Sequence, residues 1–292
     1  MALTALYDVA APAKINLFLH VLGRRADGYH LLQSAFVLID WVDTLHFERR
    51  GDGLLARHDL GAALPADDLC LRAAKGLQAE SGTSFGADIS ITKQVPWGAG
   101  MGGGSSDAAS TLLALNRLWA LNWPLSRLTA LGLKLGADVP FFLGGHNAWV
   151  EGIGEQLTPI NLPHQWLAVV KPPMSIETRA IFASPLLVRN TDAVIVEGFL
   201  AEAGIDALVG GFGRNDLQPP AEHECAEVAQ ATRLLGARFG NSRMTGSGSA
   251  VFARAGTLGQ PEATLPADLP PGWVGRMCRS LDHHPLLGWC SG

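Results

Sequence analysis

Between residues 95 and 110 the chain reads VPWGAGMGGGSSDAAS, with five glycines and three serines lying between an apolar run and an alanine- and leucine-rich stretch. Glycine takes positive φ freely and lets a ligand approach the main chain. A helix starting just afterwards offers unpaired N–H groups and the positive end of its dipole. Together these make a cradle for an anion, and phosphate is the anion it suits. Ser105 or Ser106 can add a hydroxyl to a phosphate or to Mg2+ held by phosphates, or can cap the helix. A second turn, Gly246, Ser247 and Gly248 in MTGSGS, offers more accessible backbone. Near the start, Lys14 and Asn16 stand two apart, an ammonium beside an amide. Tyr29 and His30 give a flat face for stacking and ring nitrogens for hydrogen bonding, a pair suited to a nucleobase.

Gly98, Gly100 and Gly103 match the dinucleotide fingerprint GxGxxG, which needs a ribose-binding acid about 20 residues on. Residues 108–137 contain no Asp or Glu. The loop also lacks the Lys-Ser/Thr ending of a P-loop, and the chain lacks the HRD and DFG segments of protein kinases. A different nucleotide loop is required.

Such residues must be aimed by regular elements. In AKINLFLHV the alternation predicts a strand with Lys14, Asn16, Phe18 and His20 on one face and Ile15, Leu17, Leu19 and Val21 on the other. LLQSAFVLIDWVDTLHFER reads as one or two strands, DDLCLRAAKGLQAES as a helix opened by acidic residues, and ADISITKQV as a β-branched strand entering the loop. After the loop, Ala108, Leu112, Leu115 and Trp119 form one apolar helical stripe that must stop before Pro124. SRLTALGLKLGADVPFFLGG gives a short helix, a turn and a second short apolar segment. Its Asp138, before Val-Pro, reads by itself as a turn or cap residue.

Beyond NLPHQ come a strand, WLAVVK, a helix, HECAEVAQATRLLGA, and a glycine loop entering another strand, NSRMTGSGSAVFARA. Strands and helices mixed without strict βαβ regularity predict α+β layers. A boundary near 155–165 gives two domains, residues 1–160 and 161–285, with 286–292 as a tail.

The 292 residues are 48% hydrophobic and 17% charged, enough for a core that needs no staples. Net charge is −5 and the 22 Lys and Arg are scattered, which argues against a nucleic-acid partner or an anionic membrane surface. Cys70, Cys225, Cys278 and Cys290 form no CxxC pair, so neither a zinc ribbon nor a dense disulfide framework is expected. No signal peptide opens the chain and no apolar run reaches the ~18 residues of a membrane span, so a soluble, cytoplasmic protein is expected. No sequence feature assigns an oligomeric state.

PWGAGMGGGSSDAA resembles the PxGAGLGGGSSDAA loop of the GHMP small-molecule kinases, with Met101 where Leu is usual. PAKINLFLHVLGRRADGYHLLQS, GADVPFFLGG, KPPMSIETRAIF, RNDLQPPA and MTGSGSAVFA are similar to further segments of that family, in the same order. The likeness spans about residues 8–255. It implies a two-domain α+β kinase fold, a ribosomal-S5-like N-terminal domain and a ferredoxin-like C-terminal one, with phosphoryl transfer from ATP and Mg2+ in the cleft between them.

Residue by residue, the resemblance assigns ATP to Pro96, Trp97, Gly98, Ala99, Gly100, Met101, Gly102, Gly103, Gly104, Ser105 and Ser106, with Gly246, Ser247 and Gly248 beside the same phosphates. It makes Asp138 the general base and Lys14 its partner, with Asn16 holding the hydroxyl or orienting Lys14. Tyr29 and His30 are assigned to a cytidyl diphosphate substrate, with Phe182 on the other face of the base and Thr178 nearby. Asp68 and Leu69 stand where the family has Asn-Leu near the adenine, so an acceptor is kept and an amide donor lost. Lys93 either reaches the nucleotide or faces solvent. GRRADGYH argues against the mevalonate, homoserine and sugar branches of the family. The pair Lys14 and Asp138 argues against a nucleotide sensor, which needs no base.

Overall fold

The computed structural model describes residues 3–195, 199, 202–257 and 259–290. β1 (Ala5–Arg24) and β2 (His30–Arg50) form a long antiparallel hairpin whose turn carries Tyr29, so LLQSAFVLIDWVDTLHFER lies in a single strand. The middle of β2 is apolar without a break because both of its faces are covered. Phe36 and Leu38 enter one core, and Val37 and Ile39 enter another.

β3 (Leu55–Asp59), α1 (Leu69–Ser81), β4 (Gly86–Thr92), α2 (Gly103–Leu118), α3 (Leu125–Leu135), α4 (Val139–Gly144), β5 (Ala148–Glu151) and β6 (Gln156–Pro159) follow. The first sheet runs β3-β4-β2-β5-β6, with β1 along the other side of β2. β3 lies parallel to β4 and the other pairs are antiparallel. β3 was not foreseen: LARHD is short and half polar. α2 also departs from the expected single stripe, being buried on every side from Ser106 to Asn116. Its small residues Ala108, Ala109, Ser110 and Ala114 let the sheet and the neighbouring helices close in around it.

The chain continues through β7 (Trp166–Lys171), α5 (Thr178–Ala183), α6 (Glu202–Gly210), α7 (Gln218–Glu224), α8 (Ala226–Phe239), β8 (Arg243–Met244), β9 (Val251–Arg254) and β10 (Val274–Arg279). The second sheet is antiparallel in the order β10-β7-β9-β8. HECAEVAQATRLLGA spans two helices, because Cys225 is extended at φ −142° and interrupts it.

The two sheets stack face to face. Ile15, Leu17, Val37, Ile39 and Trp149 meet Leu167, Val169, Phe252 and Cys278 in one core. α1 to α4 cover the outer face of the first sheet. On the outer face of the second, Ala168, Val170, Val251 and Ala253 pack with Ala221, Val228 and Leu235 of α7 and α8. The α+β reading therefore holds, as a four-layer arrangement.

The expected division of the C-terminus needs correction. Leu281 N–H bonds Leu38 O at 2.8 Å, His284 N–H bonds Gly145 O at 2.8 Å, and Leu286 is buried in the core beneath the first sheet. From residue 281 the chain thus packs on the N-terminal unit, and 286–290 is not a free tail, because Leu286, Trp289 and Cys290 pack into that core. Residues 291 and 292 lie outside the described residues. Cys70, Cys225 and Cys278 are buried free thiols. Among the described residues no helix is long and apolar enough to cross a membrane.

Candidate active site

The glycine loop joins β4 to α2, as its sequence implies. Gly102 is the N-cap, left-handed at φ 70°, and no side chain caps the helix. The capping alternative for Ser105 and Ser106 is therefore not used, and both lie within the first turn. Ser105 lines the adjoining cavity, while Ser106 is fully buried and its Oγ has no partner among the described residues.

Part of the glycine content serves a loop-to-loop joint. A Cβ on Gly100 (φ +71°) would come within 2.3 Å of Thr245 O, and one on Gly246 (φ +54°) within 2.6 Å of Gly100 O. Ser249 N–H bonds Gly98 O at 3.1 Å, and Ala250 N–H bonds Ala99 O at 3.2 Å. Lys14 N–H bonds Met101 O at 2.9 Å, which fixes β1 to the same loop.

A cavity of about 560 Å3 opens on the loop, lined by Pro96 through Ser105 together with Asp68, Leu69, Lys93 and Thr178. Trp97 stands half exposed at its wall. Asp68 is not a free acceptor there: it takes Leu71 N–H at 3.0 Å as the cap of α1 and pairs with Arg57 Nη1 at 2.7 Å. Lys93 is neither a solvent lysine nor a free cation. Its Nζ pairs with Asp107 Oδ2 at 2.5 Å and with Asp43. Burial and the neighbouring Asp43 raise Asp107 to about 7 against the pull of Lys93, with burial the larger cause.

A second cavity, of about 280 Å3, shares Gly98, Gly100, Gly102 and Thr178 with the first. It is lined by Lys14 and Asn16 of β1, Asp138 at the start of α4 and Phe182 of α5, and by Gly246, Ser247 and Gly248. Lys14 Nζ lies 3.5 Å from Asp138 Oδ2, donates to Asn16 Oδ1 at 2.5 Å, and sits 4.2 Å from the centre of the Phe36 ring. Burial pushes Lys14 below the usual lysine range while Asp138 pulls it back up. Asp138 occupies the N-cap position of α4, but its side chain makes no capping bond. The bond from Lys14 to Asn16 Oδ1 is the contact that an orienting role calls for. Asn16 Nδ2 donates to Ser34 Oγ at 3.0 Å and its backbone N–H donates to Thr245 Oγ1 at 2.9 Å.

The expected strand face holds only as far as Asn16. A register shift between Asn16 and Leu19 breaks the alternation. Phe18 then joins Ile15 and Leu17 in the core between the sheets, and Leu19 takes its place on the cavity side.

Tyr29, in the β1–β2 turn, is 62% exposed. It is not brought against Phe182. Instead Phe182 stacks on His30, with ring centroids 4.9 Å apart and planes 26° apart. Arg189 Nε donates to His30 Nε2 at 3.2 Å. Thr178 and Ser247 hydroxyls meet at 2.7 Å across the mouth of the second cavity.

The model of the GHMP kinases N terminal domain matches residues 68–146, the span that holds the loop, α2 and Asp138. A 4-diphosphocytidyl-2-C-methyl-D-erythritol kinase from Methylibium petroleiphilum is 67% identical over 291 residues, 99% of each chain. The chain belongs to this kinase family. A relative of the same name from Variovorax paradoxus is 56% identical, covering 98% of this chain and 99% of its own. The crystal structure of a 4-(cytidine 5'-diphospho)-2C-methyl-D-erythritol kinase superposes with TM-score 0.72 at 36% identity, over 84% of this chain and 89% of that one. Mevalonate kinase from L. major, 15% identical with TM-score 0.64, shares the fold. Membership of a GHMP kinase family carries the use of ATP.

Sequence reasoning missed the residues that hold this family's loop and lysine in place. Ser34, Phe36 and Thr245 surround Asn16 and Lys14 from β2 and the second glycine turn, and Asp43 anchors Lys93. Thr245 adjoins the turn already singled out. The others are ordinary strand residues whose role depends on pairing across the hairpin.

Proposed function

We propose that the cleft transfers the γ-phosphoryl group of ATP directly to the 2-hydroxyl of 4-diphosphocytidyl-2-C-methyl-D-erythritol, giving the 2-phosphate and ADP in isoprenoid precursor synthesis by the non-mevalonate route. One observation carries this reading: Lys14 and Asp138 line a cavity that shares its glycine wall with the larger cavity over the start of α2. An alcohol in the smaller cavity and a triphosphate in the larger then meet at Gly98, Gly100 and Gly102.

In this mechanism the loop from Gly98 to Ser106 donates backbone N–H groups to the phosphates, with Gly246 to Gly248 alongside. The alcohol oxygen attacks the γ-phosphorus as the bond to the β,γ-bridging oxygen breaks, and the hydroxyl proton passes to Asp138. In a loose transition state that proton moves late, so placement of the carboxylate counts for more than its basicity. The buried Lys14 ammonium, aimed by Asn16, holds the attacking oxygen and offsets charge on the phosphoryl group. Pro96, Trp97 and Leu69 form the adenine side of the larger cavity. Asp68 supports that wall through Arg57, and Lys93 braces the loop from beneath.

No cluster of three or more His, Cys, Asp or Glu suited to a metal ion occurs among the described residues. Beside Asp107, whose Oδ2 is held by Lys93, the side-chain oxygen donors at the start of α2 are serine hydroxyls; they would fit a Mg2+ ion carried mainly by the phosphates, with Ser105 facing the cavity and Ser106 beneath it. Bound there, the ion neutralises phosphate charge. His30 and Phe182 recognise the cytosine, with Tyr29 closing from the turn and Thr178 at the cavity mouth. Residues 1–160 provide the loop and the pair Lys14 and Asp138. Residues 161–285 provide the opposing wall, with the chain returning to the first unit near its end.

ADP release should occur with the cytidyl substrate and not with mevalonate. Turnover with mevalonate alone would move the chain to another branch of GHMP kinases, and turnover with neither would leave a nucleotide sensor.

A further inference from the structure

A third cavity, of about 430 Å3, shares no lining residue with the two at the catalytic cleft. It lies where β8 and β9 meet the end of α6 and the residues just before β7. Arg243 pairs with Phe252 across the two strands, so Arg254, two residues further on, shares its face and brings a second guanidinium alongside. Both terminal nitrogens of Arg243 are engaged: they donate to Phe212 O at 2.8 Å, to Gly211 O at 3.0 Å, and to the carbonyls of Leu17 and Gly213.

Arg254 has no such support. Its Nε and Nη2 are buried without partners, and among the described residues no carboxylate forms an ion pair with it. Burial pushes both guanidinium groups down to about 10, and Arg254 adds repulsion at Arg243. Gln165, in the same wall, is only 2% exposed, yet both its amide oxygen and its nitrogen lack partners. Buried charges are normally paired and buried amides hydrogen-bonded, because leaving either unmatched forfeits its hydration without replacement. Two adjacent cations and an unmatched amide thus line a cavity whose one carboxylate among the described residues, the exposed Glu262, pairs with neither arginine.

We infer that this cavity is a second ligand site, for a small oxyanion of the phosphate monoester or carboxylate type. Arg254 and the Gln165 amide nitrogen hold the anion, and the Gln165 amide oxygen accepts from a hydroxyl of the same ligand. Arg243 supplies field rather than hydrogen bonds. Glu262 is exposed in the lining and disfavours polyanions, which points to a small metabolite rather than a nucleotide.

The test is thermal unfolding of the full chain in excess ADP and Mg2+, which fill the nucleotide cavity, with inorganic phosphate, glycerol 3-phosphate or acetate added. A rise in Tm is expected with an anion, with acetate reading the carboxylate source and the two phosphates the other. In Arg254→Met the affinity read from that rise should fall about tenfold or more. Without anion the same variant should unfold no earlier than the native chain, because an unpaired buried charge has been removed. Gln165→Leu provides an independent arm with the same expected loss. An equal rise in the native chain and both variants, or no rise with any of the three anions, overturns the site.

Discussion

The Lys14 ammonium lies 3.5 Å from the Asp138 carboxylate, from the middle of β1 to the start of α4. At about 4 Å and an effective dielectric of about 20, attraction between unit charges is about 4 kcal/mol. Desolvating a buried ammonium costs several kcal/mol, so the pair adds little net stability. Folding therefore does not account for its placement in a cavity that touches the glycine loop, and the proposed phosphoryl transfer does.

Asp138→Asn keeps the shape of the side chain and removes the proton acceptor. The expected result is a fall in kcat of about 100-fold or more, with the KM for ATP nearly unchanged, because the proposed arrangement puts ATP in the larger cavity, which Asp138 does not line. Steady-state kinetics with both substrates varied reads the split. An unchanged kcat would remove Asp138 from the role of base.

The legible parts of this site were those written in local chemistry. Glycines before a helix, an alternating strand with Lys14 and Asn16 on one face, and an acid-capped α1 all follow from short-range rules. What stayed hidden depends on long-range packing. Nothing near Lys93 shows that Asp43, fifty residues earlier, and Asp107 will enclose it. The register shift after Asn16 exchanges Phe18 for Leu19 without any glycine or proline to mark it. Likewise Asp68, read as a changed adenine contact, is neutralised by Arg57 on a strand too short and polar to be foreseen. Even the glycine loop was only half understood, because Gly100 is required by the backbone of Thr245 and Gly248, and Gly246 by that of Gly100, whatever the loop binds.

Tyr29 is mostly exposed and touches no core, so Tyr29→Ala should change stability by less than about 0.5 kcal/mol. If the turn closes over the cytosine, KM for the cytidyl substrate should rise about tenfold, the scale of a lost aromatic contact. The KM for ATP should stay constant. Equal weakening of both would place Tyr29 at the nucleotide cavity, and no change in either would leave recognition of the base to His30 and Phe182.

Asp107 links the loop to pH. Its carboxyl is raised from an unfolded value near 3.8 to about 7. The folded chain therefore holds a proton that the unfolded chain has already lost. That contribution to stability is fully present below about pH 4 and disappears as pH rises through about 7. Asp107→Asn leaves Lys93 paired with Asp43 and removes this titration. The difference in unfolding free energy between the native chain and the variant should slope across pH 4 to 7 and be flat from pH 8 to 9. Parallel stability curves across the whole range would show that Asp107 titrates as an ordinary carboxylate.

Gly100 and Gly104 separate the structural use of the loop from its use as a phosphate cradle. At Gly100 a side chain meets Thr245 O at 2.3 Å in a left-handed backbone, so Gly100→Ala should cost about 2 kcal/mol or more and impair binding of both substrates. Gly104 is exposed in the first turn of α2, and its nearest neighbour to an added Cβ is Leu69 Cδ1 at 3.6 Å. Replacing glycine by alanine in a helix favours folding by about 0.5–1 kcal/mol, so Gly104→Ala should be slightly more stable than the native chain. A phosphate resting on that bare backbone would nonetheless be pushed away, and the KM for ATP should rise several-fold while the KM for the cytidyl substrate holds. If Gly104→Ala gains stability and binds ATP as before, the phosphates do not lie over this turn and the cradle must be sought nearer Gly98.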